Sequence, residues 1–304
     1  AKTASEELDL VLTGKDCGLE ERAPMCGVPF HSVDTYIRKL IEAGQRVAIC
    51  EQLSDPTTTK GMLERDVVRV ISPGTVMEEE ILDEKSSNYI VSIFTDDKSF
   101  GLAWADISTG EFNTCQYFGN DFYNRLSNML SAIQPSEIIS NEAFTSKYQG
   151  VNYFLSCDKR PRCYHDFAYS VANATKKLCY ALKVASLGAF ELEGQDRAVA
   201  AAGGLMEYLN QTQKRALSQI STINLVRDKS FMVLDGATRR NLELTSRTRD
   251  GRRQGSLLGV LDKTKTAMGG RMLRSFVEQP LIEQGEILRR LDAVDELKNN
   301  AICR

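Results

Sequence analysis

The sequence is poor in the residues that build metal centres and catalytic triads. It holds only two histidines, His31 and His165, and its eight cysteines are scattered without a C-x-x-C pair. Zinc sites need a closer grouping of ligands, and Ser/His/Asp catalysis needs a histidine near a nucleophile turn. We therefore expect neither. The spacing predicts that His31 forms a hydrogen bond at a helix start, and that cysteines in apolar runs, such as Cys50, act as small hydrophobic residues.

Long apolar runs are also missing. The longest, residues 198–206, is far shorter than the ~20 residues that span a bilayer. The first residues do not show a basic stretch leading into an apolar one, as a secretory signal would. We expect a cytoplasmic protein without a membrane partner.

No phosphate-binding P-loop of the form G-x-x-x-x-G-K-[ST] occurs, so we expect no nucleotide cofactor in this chain. Gly14-Lys15-Asp16 lacks the earlier glycine and the hydroxyl group. Gly203 and Gly204 fall inside a helical pattern, which favours close packing of a helix over phosphate binding.

The composition is that of a folded, multidomain protein. Hydrophobic residues make up 42% and charged residues 26% of the 304 residues, a length that allows roughly two or three domains. The net charge of -3 conceals a basic segment at residues 239–274, in which ten bases stand against three acids. Such a segment indicates either contact with phosphates or a solvated arginine-bearing loop, and the sequence leaves both open.

Residues 1–75 are predicted to form a first α/β domain. A helix opens the chain as though entered partway, which suggests a fragment of a longer protein, and Leu8, Leu10 and Leu12 alternate like a strand. A second helix starts at Val33, with Ser32 as its N-cap and Gly44 as its end. Residues 45–53 and 66–71 are predicted strands, and the acidic residues 76–86 form a linker.

Residues 87–218 are predicted to form a second α/β domain, and residues 219–304 the beginning of a mostly helical one. The second domain starts with a meander of three strands and continues with helices and one short strand. The predicted strands are 89–95, 99–107, 111–118 and 137–139, and the predicted helices are 122–133, 170–185 and 196–214. Beyond two short β-type runs at 222–226 and 230–234, Ser256 and Thr266 are predicted to cap helices, and Pro280 to break one.

One feature suggests nuclease chemistry. Asp106 ends a predicted strand of the meander, as in ribonuclease-H-like folds, and Glu111 begins the next strand. Two-metal phosphodiester hydrolysis needs several convergent carboxylates, and the sequence does not identify the others. A metal-dependent nuclease is the alternative function, and an ordinary turn between strands is the favoured interpretation.

Several segments closely resemble the MutS family of bacterial DNA mismatch repair proteins, in the family's order along nearly the whole chain. They are PMCGVPFHSVDTY at 24–36, VAICEQ at 47–52, VRVISPGT at 68–75, ADISTGEF at 105–112, DGATRRNLE at 235–243, SLL at 256–258 and MGGRML at 268–273. The resemblance implies most of a mismatch-binding domain, a ribonuclease-H-like connector domain and the start of a core domain.

The resemblance also implies partners and cofactors. Full-length members of the family form dimers that clamp mismatched DNA, insert a phenylalanine of a Phe-x-Glu motif, couple binding to ATP and magnesium in a distant domain, and contact MutL through the connector. The Phe-x-Glu segment would precede residue 1 and the ATPase would follow residue 304. This chain is then a non-catalytic binding and coupling part. We expect phosphate contacts from Arg38, Lys39 and Lys60, and partner contacts from Lys176 and Lys177.

Overall fold

The computed structural model places helices and strands in three successive parts of the chain. It describes residues 1–16, 18, 21–54, 63–76, 84–96, 99–119, 121–148, 159–213, 217–227 and 231–300. We call the described residues up to 76 the N-terminal unit, those from 84 to 227 the central unit and those from 231 to 300 the C-terminal unit. The fold class is mixed α/β, as the sequence predicts. Among these residues, no helix combines the length and apolar character that crossing a membrane requires.

The N-terminal unit consists of two helices and two small antiparallel sheets. Its elements are α1 (Lys2–Leu8), β1 (Thr13–Lys15), β2 (Ala23–Met25), α2 (Val33–Glu42), β3 (Val47–Gln52) and β4 (Arg65–Ile71), with β1 paired to β2 and β3 to β4. The apolar face of α2 supplies Ile37 and Ile41 to a small core that β4 completes with Ile71. The helix ends where Gly44 adopts a φ of 76°, which confirms the predicted stop.

Three predictions for this unit are wrong. Leu8 is the last residue of α1, and Leu10 and Leu12 lie in the connection between α1 and β1, outside any strand. The hydroxyl of Ser32 donates to the carbonyl of Pro29 instead of capping α2, because a turn of 3₁₀-helix leads directly into that helix. Cys50 is exposed, since only the Ile49 side of the two-stranded sheet is covered. Cys17, Cys157 and Cys303 lie outside the described residues.

A six-stranded sheet forms the centre of the central unit. The strands are β5 (Ile90–Thr95), β6 (Ser99–Asp106), β7 (Glu111–Phe118), β8 (Glu137–Ser140), β9 (Arg162–Cys163) and β10 (Asn224–Leu225), in the order β10-β7-β6-β5-β8-β9. Strands β5, β6 and β7 form the predicted antiparallel meander, whereas β8 is parallel to β5, and β9 to β8. Strand β10 confirms the first of the two predicted short β-type runs and pairs parallel to β7.

Helices cover both faces of this sheet. They are α3 (Phe122–Ile133), α4 (Glu142–Tyr148), α5 (Val171–Leu182) and α6 (Asp196–Gln213). Every residue of β6 is buried, and its side chains alternate between two cores. Ala103 and Ala105 pack against α5 and α6, whereas Leu102 and Trp104 pack against α3.

Helix α6 approaches β6 and α5 closely at glycine residues. A Cβ atom on Gly101 would lie 1.8 Å from the carbonyl oxygen of Arg197, and one on Gly203 would lie 2.2 Å from the Cβ atom of Ala174. Both distances are far below any allowed contact. The prediction that Gly203 serves close helix packing is therefore confirmed.

The C-terminal unit is helical. It contains α7 (Gly236–Asn241), α8 (Leu257–Leu261), α9 (Ala267–Glu278) and α10 (Gln284–Asn299). The hydroxyls of Ser256 and Thr266 accept hydrogen bonds from Gly259 and Gly269, which confirms both predicted N-caps, and α9 ends before Pro280. The second predicted β-type run is wrong as a strand within the described residues, because Phe231 forms only an isolated bridge to Leu281, and residue 230 is not described.

Candidate functional site

Helix α2 carries the bases predicted to contact DNA. Arg38 and Lys39 are both exposed on its outer face. The Nε atom of Arg38 lies 2.9 Å from a carboxylate oxygen of Glu42, and the Nζ atom of Lys39 lies 5.9 Å from the ring centre of Tyr36. An exposed ion pair such as that of Arg38, and an exposed cation–π contact such as that of Lys39, each contribute little stability, so both side chains can reorient toward a ligand. Lys60 lies outside the described residues.

The end of β4 is fixed to the central unit by a buried carboxylate. Glu137, the first residue of β8, is 5% exposed. Its carboxylate accepts hydrogen bonds from the hydroxyl of Ser72 and the amide of Gly74, and, at 2.7 Å, from the hydroxyl of Tyr208. Burial, followed by the charge of Glu137, raises the pKa of Tyr208 to about 12. One acidic side chain thus joins the N-terminal unit to β8 and α6.

Further polar side chains hold the same loop, residues 72–75. The Nε2 atom of Gln213 donates to the carbonyls of Val70 and Thr75, at 3.2 and 3.4 Å. The Nδ2 atom of Asn88 donates to the carbonyl of Pro73 at 3.0 Å. Because these donors come from the central unit and reach backbone oxygens, they fix the position of the loop whatever its side chains are. We call this set of contacts the Ser72–Glu137 junction.

Helix α5 carries the two lysines predicted to contact a partner protein, and they differ in their surroundings. Lys176 is exposed. Lys177 is partly buried, forms an ion pair with Glu207 of α6, and lies 6.0 Å above the ring of Phe167. Lys177 therefore contributes to the packing of α5 on α6, and Lys176 is the better probe of a surface contact.

The surroundings of Asp106 do not favour the nuclease. Asp106 is fully buried. One carboxylate oxygen accepts the amide of Asn88 at 2.9 Å, and the other accepts the amide and hydroxyl of Ser108 at 2.9 and 2.6 Å. Both oxygens are thus engaged, one with the segment that leads into β5 and one with the turn that leads to β7. Within the described ranges, no three His, Cys, Asp or Glu side chains are grouped as metal ligands would be.

The basic segment at residues 239–274 divides into two parts. Arg249, Arg252, Lys263 and Lys265 are exposed. Arg253 instead pairs with Asp262, and Arg274 pairs with Glu278 at 3.0 Å. The basic residues of this segment therefore do not form one continuous surface patch.

A second junction joins the central and C-terminal units through charged groups. The Nζ atom of Lys85 lies 3.3 Å from the carboxylate of Asp262, and Arg274 donates to Ser86 and Gln134 at 3.1 Å each. Hydrogen bonds from Thr264, together with the Lys85 ammonium, lower the pKa of Asp262. Burial raises the pKa of Glu278 against the opposing effect of Arg274.

The residues present do not fit a magnesium–nucleotide site. A phosphate-binding loop needs glycines whose backbone amides are open to the phosphate. The glycine pair 203–204 is instead buried in α6 against Ala174 and Tyr169. The sequence also lacks the lysine and hydroxyl of a P-loop.

Sequence reasoning missed the Ser72–Glu137 junction. Its acceptor is a single glutamate in a short strand, and nothing local distinguishes it from an exposed one. The consecutive apolar residues Ile138 and Ile139 could have indicated that Glu137 is buried. Such a run is typical of a strand covered on both faces, and the first residue of that strand then has no solvated side.

Comparison with known proteins assigns each part of the chain. The family models for MutS domain I, domain II and domain III match residues 1–80, 88–221 and 237–304. Similar relatives are the DNA mismatch repair proteins MutS of Acetivibrio thermocellus, 47% identical, Alkaliphilus oremlandii, 44% identical, and Ruminiclostridium cellulolyticum, 43% identical. Each alignment covers 100% of this chain and 35% of the relative. The chain thus spans about a third of the length of the curated relatives it matches, and it belongs to the MutS family of DNA mismatch repair proteins.

Proposed function

We propose that this chain is a non-catalytic part of a mismatch-recognition protein, which contacts mispaired duplex DNA and couples that contact to an ATPase elsewhere in the longer protein. Support comes from the match to MutS domains I, II and III in order. ATP and magnesium would act at that other region. The proposal implies a cytoplasmic location, where bacterial chromosomal DNA lies, and a homodimer of the longer protein.

The Ser72–Glu137 junction is the observation that carries the coupling role. A domain that senses DNA can pass on a change of position only if it is joined firmly to its neighbour. Here the joining groups are buried and hydrogen-bonded on both sides, and breaking them would leave a carboxylate unpaired in the interior, at high cost. Movement of the N-terminal unit is therefore transmitted to the central sheet.

Phosphate contacts would come from Arg38 and Lys39 on α2. A phosphate contact from Lys60 stays a prediction from the sequence. Such contacts depend on salt and carry no sequence information. The exposed bases of the C-terminal unit, Arg249, Arg252, Lys263 and Lys265, would add to them. We expect binding of duplex DNA with a dissociation constant of ~10⁻⁴ to 10⁻⁶ M at physiological salt.

The central unit is proposed to be a ribonuclease-H-like connector that has no nuclease activity. The strand order, with a three-stranded meander continued by parallel strands beyond β5, supports this fold. The engaged carboxylate of Asp106 argues against catalysis. We propose that the exposed side of α5, with Lys176, contacts MutL.

Titration of the 304-residue chain against a G·T heteroduplex and its matched homoduplex, at two salt concentrations, tests the DNA-binding role. We expect equal affinities, and a salt slope that falls by about two when Arg38 and Lys39 are both changed to Gln, since each phosphate contact contributes about 0.9. The exposed pair Lys176→Gln and Lys298→Gln is the matched control and should leave the slope unchanged. Binding that shows no salt dependence would overturn the phosphate contacts, and a clear mismatch preference would show that residues of this chain read the lesion.

Capture by MutL is tested with a longer protein that carries Lys176→Glu. We expect loss of capture with unchanged DNA binding. Lys177→Glu also breaks the pair with Glu207, so it is compared only after its stability is measured. Unchanged capture by the Lys176 variant would remove this residue from the proposal.

A further inference from the structure

A cavity of about 410 Å³ lies between the central and C-terminal units. Its apolar wall is built by Tyr89, Trp104 and Met129 of the central unit and by Phe231 of the C-terminal unit. This volume falls in the range of pockets that enclose small organic ligands. Flat aromatic side chains from two units favour a planar ring between them.

The charged groups around this cavity are mainly cationic. Five arginines and two glutamates contribute to its lining. Glu111 is already occupied, because it accepts hydrogen bonds from the hydroxyl of Tyr89 at 2.9 Å and from Asn113 at 2.6 Å. Glu278 is neutralised by Arg274 at 3.0 Å. Arg227 pairs with Glu191 outside the cavity, and Glu111 keeps its negative charge. The five arginines still outnumber these three carboxylates, so the net charge around the cavity is positive and favours an anion.

One of these arginines has an unused donor. The Nε atom of Arg271 is buried and has no hydrogen-bond partner. A buried donor without an acceptor is costly, and such groups in folded proteins need a specific reason. Arg271 also lines the cavity, so an anionic group there that draws the guanidinium toward it would give this arginine a charge-assisted hydrogen bond.

We propose that the cavity binds a planar aromatic anion, whose ring packs beside Trp104 and Tyr89 and whose acidic group pairs with Arg271. This site goes beyond mismatch recognition and does not depend on it. A ligand there would contact both units at once, across the second junction. It would therefore stabilise this arrangement of the two units, by a free energy that grows with the logarithm of the ligand concentration divided by the dissociation constant.

The chain contains its own reporter for this cavity, because Trp104 is its only tryptophan. Anilinonaphthalene sulfonate is a suitable probe, since it combines a planar naphthalene ring with an anionic sulfonate and accepts excitation energy from tryptophan. Phenylnaphthylamine has the same rings without the sulfonate and is the matched neutral probe. We expect saturable quenching of Trp104 by the sulfonate, with an affinity at least about tenfold above that of the neutral probe, as one hydrogen bond to a charged group would give.

Variants locate the site. Arg271→Gln is expected to weaken sulfonate binding by about tenfold and to leave the neutral probe unaffected. The exposed Arg249→Gln carries the same charge change away from the cavity and should alter neither. Ala132→Phe fills the cavity without changing its charge, so it should weaken both probes and serves as a second test if Arg271→Gln does not fold. Equal affinity of the two probes, or sulfonate binding unchanged by Arg271→Gln and Ala132→Phe, would overturn the proposal.

The acidic group of a natural ligand could be a carboxylate or a phosphate. Competition of the bound sulfonate by naphthoate and by adenosine monophosphate distinguishes the two sources. Displacement by either compound, lost in the Arg271→Gln variant, supports the site and names its anion. Failure of both compounds to compete would overturn it.

Discussion

The hydroxyl of Ser72 donates a hydrogen bond to the carboxylate of Glu137, and so joins the end of β4 to the beginning of β8. Ser72 is fully buried and Glu137 is 5% exposed. A carboxylate in such a place is stable only when its oxygens are paired, and here the partners come from two separate segments of chain, the loop at residues 72–75 and α6. The contact therefore depends on the correct docking of the N-terminal unit.

Removing the hydroxyl of Tyr208 should weaken this junction. Tyr208→Phe leaves the Oε1 atom of Glu137 without the donor that now lies at 2.7 Å. We expect the free energy of unfolding to fall by about 1–3 kcal/mol, the cost of a buried unpaired polar group. Urea unfolding followed by Trp104 fluorescence measures it. Tyr180→Phe is the control, because Tyr180 is 88% exposed. Equal stability of the two variants would show that the hydroxyl of Tyr208 adds nothing.

Ser72 and Glu137 should also be coupled energetically. In a double-mutant cycle with Ser72→Ala and Glu137→Gln, we expect a coupling energy of about 0.5–3 kcal/mol, as for residues that share one hydrogen-bond network. Urea unfolding of the two single variants and the double variant gives this energy. Ser72→Ala paired with Tyr180→Phe should be additive. Additivity of the Ser72 and Glu137 changes would mean that the junction does not transmit energy between the two units.

Alkaline pH should destabilise the central unit. An unfolded tyrosine releases its proton near pH 10, whereas burial and Glu137 raise the pKa of Tyr208 to about 12. The folded state therefore holds more protons between these values, and stability falls as pH rises through them, by on the order of 2–3 kcal/mol for Tyr208. Burial also raises the pKa values of Tyr89 and Tyr169, which adds to the effect.

Phenolate absorbance and Trp104 fluorescence, recorded together against pH, check this prediction. We expect the buried tyrosines to ionise together with unfolding, and Tyr208→Phe to show a shallower loss of stability above pH 10 than the unchanged chain. Full ionisation of all tyrosines near pH 10 with native Trp104 fluorescence would contradict it.

Local signals predicted the elements of this fold well. The 3.6-residue spacing of Leu126, Leu130 and Ile133 places α3 at the predicted residues, and hydroxyl side chains at Ser256 and Thr266 begin the predicted helices. These features depend on residues near one another in the sequence, so no knowledge of the remaining chain is needed.

Features that depend on distant residues could not be predicted in this way. The partner of Glu137 lies 65 positions away, and the partner of Lys177 lies 30 positions away. Burial decides whether a charged residue is a free surface group or part of a junction, and periodicity alone does not give burial. The basic segment shows the same limit, because Arg274 is held at the second junction while Arg249 is exposed.

A methyl group at Gly203 should destabilise the packing of α6 on α5. Alanine has the higher helix propensity by about 1 kcal/mol, but its Cβ atom would lie 2.2 Å from the Cβ atom and 2.7 Å from the Cα atom of Ala174. Neither atom can move aside without shifting a helix, so we expect Gly203→Ala to lower the free energy of unfolding by about 1–3 kcal/mol. Urea unfolding followed by Trp104 fluorescence measures the change.

Ala174→Gly in the same chain should restore part of the loss, since it removes the nearer contact and leaves the other. Gly27→Ala adds a methyl group in open space and should cost almost nothing. If Gly203→Ala were as stable as Gly27→Ala, the close approach of α5 and α6 at this position would be wrong.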